Sequence, residues 1–368
     1  MTKQAKEILV AIIGAGGVGG HFLTQLATLV NQTPALNVSL CYLGIIDRVY
    51  WTSDYSAIDL ANALDILAEK GQDPISLEQT IDYLAKAPSK VILIDNTSVQ
   101  SIADLYPRIL GSGISIVTPN KKAFSGTYDL WKEAFEAARS GGSLIEHECT
   151  VGAALPVLST LRTLIAAGDD IHRIEGVFSG TMTYLFSTFS PVDGPASTAR
   201  WSDVVKKARE LGYTEPDPRD DLNGMDVARK LTILARIAGL KTESATSFPV
   251  KSLVPQALET VPSATEYLEK LPAYDHEMDE LRATAEQHNN VLRFVGSVDV
   301  QSGALSVGLR QLPKMHPAAQ LVSSDNIFSF YTKRYGDRPL IIKGAGAGGE
   351  VTAMGVLAGL LKTVDRLN

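Results

Sequence analysis

The chain has 368 residues, enough for two or three domains and a large core. A composition that is 45% hydrophobic and 20% charged, with a net charge of −7, fits a folded globular protein and excludes a general nucleic-acid binder, whose surface is basic. Two cysteines, Cys41 and Cys149, give no disulfide framework, and no apolar run is long enough for a membrane span, so a cytoplasmic protein with neither membrane nor nucleic-acid partners is expected.

Residues 8–13 form a short β-branched run and predict a buried strand. A glycine turn, Gly14 to Gly20, follows at once and opens into an apolar helical pattern. Strand, Gly-x-Gly-x-x-Gly and helix in that order are the context of a dinucleotide fingerprint. Gly14 permits the tight turn, Gly16 the close approach of a pyrophosphate, and Gly19 the packing of helix on strand. The free N–H groups at the helix start then face the phosphates.

A second strand is expected over residues 38–46, ending at Asp47-Arg48. An acid there bonds the adenine ribose diol of NAD, and an arginine accepts the 2′-phosphate of NADP. Both are present, so the choice stays open. Residues 54–87 read as helical or irregular. Residues 90–94 predict a strand leading to Asp95, Asn96, Thr97 and Ser98. Thr97 and Ser98 are candidates for contacts to the nicotinamide half of the cofactor, or else cap the next helix. Residues 114–117 predict another strand, which delivers Lys121 to the ligand side of the sheet, whereas Lys122 is expected to face solvent. A helix over 127–139 and a strand starting at 143–145 complete the alternation of a doubly wound sheet over residues 1–150.

After Pro156 a helix (158–167) and a strand (171–178) lead into Ser179, Gly180 and Thr181, which either meet an oxygen-rich ligand or cap the helix that follows. Residues 190–202 predict an exposed loop, and residues 204–211 a helix ended by Gly212. Residues 211–230 are dense in carboxylates (Glu215, Asp217, Asp220, Asp221, Asp226) and run into an apolar helical pattern. Asn223 or Asp221 is suited to cap a helix starting near Gly224. Asp226 and Lys230, four residues apart on one face, form either a surface ion pair or a substrate-facing lysine set by its carboxylate. A polar helical stretch (263–290) precedes two strands, 291–300 and 304–312, read as a hairpin of a mixed or antiparallel sheet. The six histidines, His147 and His316 among them, show no metal-ligand spacing. A strand at 340–343, the glycine turn Gly344 to Gly349 and a helix over 350–367 close the chain and are expected to return to the first domain and cover the cofactor.

From Ala208 through Gly212, Glu215-Pro216-Asp217-Pro218, Asp221, Gly224 and Asp226 to Lys230, the string resembles the signature of homoserine dehydrogenases. So do GAGGVGG at the first glycine turn, DNTS at 95–98, TPNKKAF at 118–124, HECTVGAALP at 147–156, FSGT at 178–181 and KGAGAGG at 343–349. TPNKKAF and EPDPRDDLNG are most similar to the monofunctional fungal branch. The resemblance implies an α/β fold: a Rossmann-type doubly wound parallel sheet (residues 1–150, completed by 340–368) plus a second α+β substrate and dimerisation domain with a mixed sheet (151–339). It implies NAD- or NADP-dependent interconversion of L-homoserine and L-aspartate 4-semialdehyde by a homodimer. Lys230 and Lys121 are the implied catalytic lysines. Glu215, Asp226, Asp221, Gly180 and Thr181 are the implied substrate residues. Ala15, Gly17, Val18, Thr97, Lys121 and Gly348 join Gly14, Gly16, Gly19 and Ser98 around the cofactor. A monovalent cation, sodium by family precedent, is implied on the Glu148 side chain and the carbonyls of Val151, Ala153 and Leu155, an oxygen shell that suits a hard ion. Cys149 and Ala154 depart from the family pattern beside that loop. No fused regulatory domain is expected. Other semialdehyde or hydroxy-amino-acid dehydrogenases, and a non-catalytic NAD(P) sensor, are the competing readings.

Overall fold

The β-branched run ILVAII forms β1, Ile8–Ile13, and its side chains are buried on both faces, as a central parallel strand requires. The structure is a computed structural model and describes residues 7–33, 35–193 and 198–368. They divide into two units, one of residues up to Ala154 with Gly348–Asn368, the other Leu155–Ala347.

In the first unit β1 is flanked by β2, Val38–Gly44, and then by β3, Val49–Trp51. On its other side lie β4 (Lys90–Asp95), β5 (Ser115–Val117) and β6 (Ile145–Glu146), giving the order β3-β2-β1-β4-β5-β6. All pairs are parallel except β2–β3. The second strand thus stops two residues before its expected end. Ile45 N–H bonds the Arg48 carbonyl at 2.8 Å, and the chain turns back as the short antiparallel edge β3. The helix Gly17–Gln32 and the C-terminal helix Gly349–Leu367 both contribute to the core of this unit, where Phe22, Leu26, Val356 and Leu360 meet Val10, Ile12, Ile92 and Ile94. Each such side chain contributes about 1.5–3 kcal/mol by leaving water.

The second unit is built on β7 (Ile171–Val177), β8 (Asn290–Asp299), β9 (Ala304–Pro313), β10 (Asp325–Thr332) and β11 (Leu340–Ala345), in the order β11-β10-β7-β8-β9. Every pairing among these five strands is antiparallel, so they do not form the mixed sheet expected: two hairpins, β8–β9 and β10–β11, flank β7, and a single parallel bridge joins Val307 of β9 to Val250 outside the strands. β10 has no counterpart among the sequence expectations. It also relocates residues 340–345, which pair with β10 as an edge of this sheet and do not complete the dinucleotide sheet. Only the helix after them belongs to the first unit.

Two smaller differences follow from packing. The helix expected from 204 begins at Trp201, and Ser190, Trp201 and Ser202 are buried where an exposed loop was expected; residues 194–197 of that stretch lie outside the described residues. Ser202 holds the buried Asp275 carboxylate through both its N–H (2.8 Å) and its hydroxyl (2.7 Å), which ties this helix start to the start of the helix Asp275–Gln287. Gly212, at φ 73°, ends the helix as expected, with Tyr213 N–H reaching back to the Ala208 carbonyl. Among the described residues no helix is long and apolar enough to cross a membrane.

Candidate active site

In the first unit the glycine turn is a cradle with one crowded side and one open side. A β-carbon on Gly14 would lie 2.9 Å from the Thr97 side chain, and Gly14 itself has φ 91°. A β-carbon on Gly19 would fall 2.0 Å from the Gly14 carbonyl oxygen, so helix and turn touch backbone to backbone. Gly16 and Gly17, by contrast, are exposed, and a β-carbon on either meets nothing. The helix start has no side-chain cap, which leaves its N–H groups to a ligand. Ala15 and Val18 line the same turn, half-buried. Gly349, first residue of the C-terminal helix, packs on His21 and stands beside the Gly17 carbonyl. Two helix N-termini therefore converge on this turn, and Gly348, exposed at φ 118°, caps the second. The side-chain amide of Asn96 lies against the turn, and neither of its polar atoms has a protein hydrogen-bond partner. An open glycine cradle, uncapped N–H groups and an orphaned amide all fit a dinucleotide phosphate.

At the carboxyl ends of β4 and β5 stand Thr97, Ser98 and Lys121. Thr97 bonds back to Asp95 through N–H (2.9 Å) and hydroxyl (2.7 Å), whereas Ser98 is exposed. The Lys121 carbonyl accepts from Phe124 N–H, Ser125 N–H and the Ser125 hydroxyl. Lys122 is half-buried and not fully turned to solvent. At the end of β2, Asp47 is exposed beside Ile46, and Arg48 donates to the Ala68 carbonyl at 3.0 Å.

In the second unit the helix Met225–Ile237 presents Asp226 and Lys230 from its first two turns. Lys230 is buried, 7% exposed, and its ammonium donates to the Asp226 carboxylate at 2.6 Å and to the Phe178 carbonyl at 2.6 Å. The Phe178 carbonyl also accepts from Asn326 of β10 at 3.1 Å. Gly224, at φ 75°, starts the helix. A β-carbon there would crowd Phe294 at 2.9 Å, and Asn223 Oδ1 accepts Met225 N–H at 2.8 Å. Asp221 makes no cap. One carboxylate oxygen lies 3.1 Å from the Thr181 hydroxyl, whose one proton is shared between it and the Tyr213 carbonyl at 2.7 Å, and the other accepts Glu215 N–H at 2.8 Å. Burial first, then the nearby Glu215 and Asp226 charges, raise the Asp221 carboxyl to about 6. The Glu215 residue itself is exposed. Gly180 is used by the chain itself, since a β-carbon would lie 2.7 Å from the Ser324 carbonyl oxygen. Asp217 and Arg219 close on each other at 2.6 Å, and Arg219 goes on to the Val261 carbonyl at 2.7 Å, so this pair holds the loop.

The structure thus brings Lys230, Asp226, Asp221, Thr181 and Glu215 into one carboxylate-rich group. It adds the Phe178 carbonyl and Asn326, a backbone atom and a residue of the unforeseen strand, neither marked by any spacing pattern. Glu148 is buried ahead of Gly152 (φ 79°) and Ala153 (φ 53°). The two successive left-handed residues include one with a side chain, Ala153, a conformation that is strained outside glycine.

A Rossmann-type cofactor unit, together with a second unit that sets a buried lysine among carboxylates, defines a dinucleotide-dependent oxidoreductase of a small polar substrate. The family model for homoserine dehydrogenase matches residues 156–361, and that for its NAD-binding domain matches residues 14–148. A homoserine dehydrogenase of Paracoccidioides brasiliensis is 50% identical, over 99% of this chain and all of its own length. A crystal structure of a Candida auris protein of unknown function superposes with a TM-score of 0.92 at 48% identity, covering 98% of this chain and 99% of its own. A hyperthermophilic archaeal homoserine dehydrogenase solved with NADPH shares the fold, with a TM-score of 0.73 at 22% identity over 98% of both chains. This chain belongs to the homoserine dehydrogenase family.

Proposed function

We propose that this chain interconverts L-homoserine and L-aspartate 4-semialdehyde with NAD or NADP, and that Lys230 carries the proton. The observation behind the proton role is the buried Lys230 ammonium, fixed by Asp226 and by the Phe178 carbonyl in a chain that matches the family along its length. A bound nicotinamide supplies hydride acceptance and donation. In the oxidative direction the neutral amine form of Lys230 takes the hydroxyl proton, becoming the ammonium, as hydride leaves the carbinol carbon for the dinucleotide. In the reductive direction its ammonium stabilises the growing alkoxide and returns the proton. Lys121 adds a second positive charge next to the reacting oxygen. Glu215 and Asp226 hold the substrate ammonium, with Asp221 and Thr181 behind them and Gly180 lining the same pocket.

The glycine turns hold the dinucleotide through Gly14, Ala15, Gly16, Gly17, Val18, Gly19 and Gly348, and Thr97, Ser98 and Lys121 meet its nicotinamide half. Family membership and the left-handed pair Gly152–Ala153 support a monovalent cation on Glu148 and the carbonyls of Val151, Ala153 and Leu155. Family membership alone supports a homodimer built through the second unit.

Two tests bear on the substrate residues. Glu215→Leu is expected to raise the homoserine KM by roughly ten- to a hundredfold with a smaller change in kcat, the signature of lost substrate binding. An unchanged KM would remove Glu215 from the amine site. Asp221 gives a pH signature. Its folded-state value lies near 6, above that of an unfolded chain, so its ionised form costs stability. Measured against Asp221→Asn, the substrate-free protein should lose stability as the pH rises from about 4 through about 6 and show no further change above that. Thermal unfolding across that range checks this, and a parallel pH course for the two proteins would contradict it.

A further inference from the structure

Asp95, at the carboxyl end of β4, is completely buried, and its carboxylate is fully bonded. Oδ1 accepts the N–H and hydroxyl of Thr97 at 2.9 and 2.7 Å. Oδ2 accepts the Tyr106 hydroxyl at 2.6 Å and the Asn120 amide at 3.0 Å. Its backbone carbonyl accepts the Thr118 hydroxyl at 2.7 Å. Thr118 Oγ1 in turn accepts Asn120 N–H at 2.8 Å, and Asn120 Oδ1 accepts Lys122 N–H at 3.0 Å. Lys121 is therefore gripped by its two neighbours, and both grips trace back to Asp95. Burial, and then the Asp95 charge, raise the Tyr106 hydroxyl, which keeps it a donor.

Burying a carboxylate is costly, and an apolar knot of the same size would serve folding as well or better. What the carboxylate adds is direction. It joins two loops at the ends of neighbouring parallel strands, the edge where such sheets bind ligands. On the reading that Thr97 and Lys121 serve the cofactor and the reaction, we propose that Asp95 is the positioning residue that sets these two against each other, with Tyr106 and Asn120 as its struts.

The test uses Asp95→Asn, Asn120→Asp, the exchanged pair D95N/N120D, and Tyr106→Phe, each in the full chain. Dinucleotide affinity is read from the fluorescence of bound NADH or NADPH, kcat with homoserine, and thermal midpoint for folding. Asp95→Asn sets one amide against another across the two loops. It should weaken dinucleotide binding and lower kcat by roughly 10- to 100-fold, the size of effect seen when an oriented group loses its supporting bond. The exchanged pair restores a donor facing an acceptor and should recover most of both losses. Tyr106→Phe keeps the ring and removes one bond to Oδ2, so it should fold and still bind dinucleotide more weakly than wild type. A lowered thermal midpoint with unchanged affinity and kcat in both Asp95→Asn and Tyr106→Phe would overturn the proposal, as would a loss in Asp95→Asn that the exchange does not reduce. Wild-type failure on homoserine would count against the proposed reaction instead, and the binding measurements would still judge Asp95.

Discussion

Lys230→Ala is expected to lower kcat by roughly 10²- to 10⁴-fold, the range assigned to one positioned acid–base group, and to leave dinucleotide affinity within about twofold of wild type. The two readouts separate because Lys230 stands in the unit formed by Leu155–Ala347, whereas the glycine cradle belongs to the other. The variant should fold. Alanine is a good helix former, and the Asp226 carboxylate left behind is 41% exposed, so water replaces its partner cheaply. Loss of the lysine removes the amine that accepts the proton in the oxidative direction and the ammonium that partners the oxyanion in the reductive one. Lys230→Arg restores the charge but not the chemistry, because a guanidinium does not give up its proton near neutral pH. It should remain at least tenfold below wild type in kcat, within the range for a lost acid–base group. Near-normal turnover in Lys230→Ala would move the proton role to another residue.

Gly19→Ala should damage the other unit as severely, and through a different physical cause. A β-carbon 2.0 Å from the Gly14 carbonyl oxygen is impossible, and the obstacle is backbone, so the Gly17–Gln32 helix must move off the turn. Overpacking of this kind costs about 1–3 kcal/mol of stability. The shift also displaces the N–H groups that face the phosphates, so dinucleotide affinity should fall at least about tenfold, or 1.4 kcal/mol. Gly16→Ala makes the contrast. Its methyl meets no protein atom, so the loss of stability should be much smaller, yet the methyl stands where a pyrophosphate must approach. Urea unfolding and fluorescence titration of both variants decide the matter. Full dinucleotide affinity in Gly16→Ala would mean that the open side of the turn is not the binding side.

The parts legible in the sequence were those whose pattern is local. β1 and β4 are β-branched runs, and the turn between β1 and its helix is written in glycines, so the cofactor unit could be read in chain order. β3 is three residues long and β10 is buried along most of its length, so neither shows the alternation that marks a half-exposed strand. Without β10 in view, the strand expected at 340–343 has no visible partner, and its place beside β10 cannot be read from its own residues. At the site, the spacing of Asp226 and Lys230 was visible because a helix makes i and i+4 neighbours. The Phe178 carbonyl was not, because a backbone acceptor has no letter in the sequence. Asp95, Tyr106 and Asn120 meet only after β4 and β5 have paired, so no window of sequence contains their arrangement.

The most direct measurement follows the reduced nicotinamide absorbance when purified chain is mixed with L-homoserine and NAD or NADP, with Lys230→Ala alongside. The expected result is homoserine-dependent reduction of at least one dinucleotide, its reversal with L-aspartate 4-semialdehyde, and near-complete loss in the variant. No reduction of either dinucleotide by a folded, dinucleotide-binding wild-type chain, or equal rates in wild type and Lys230→Ala, would contradict it.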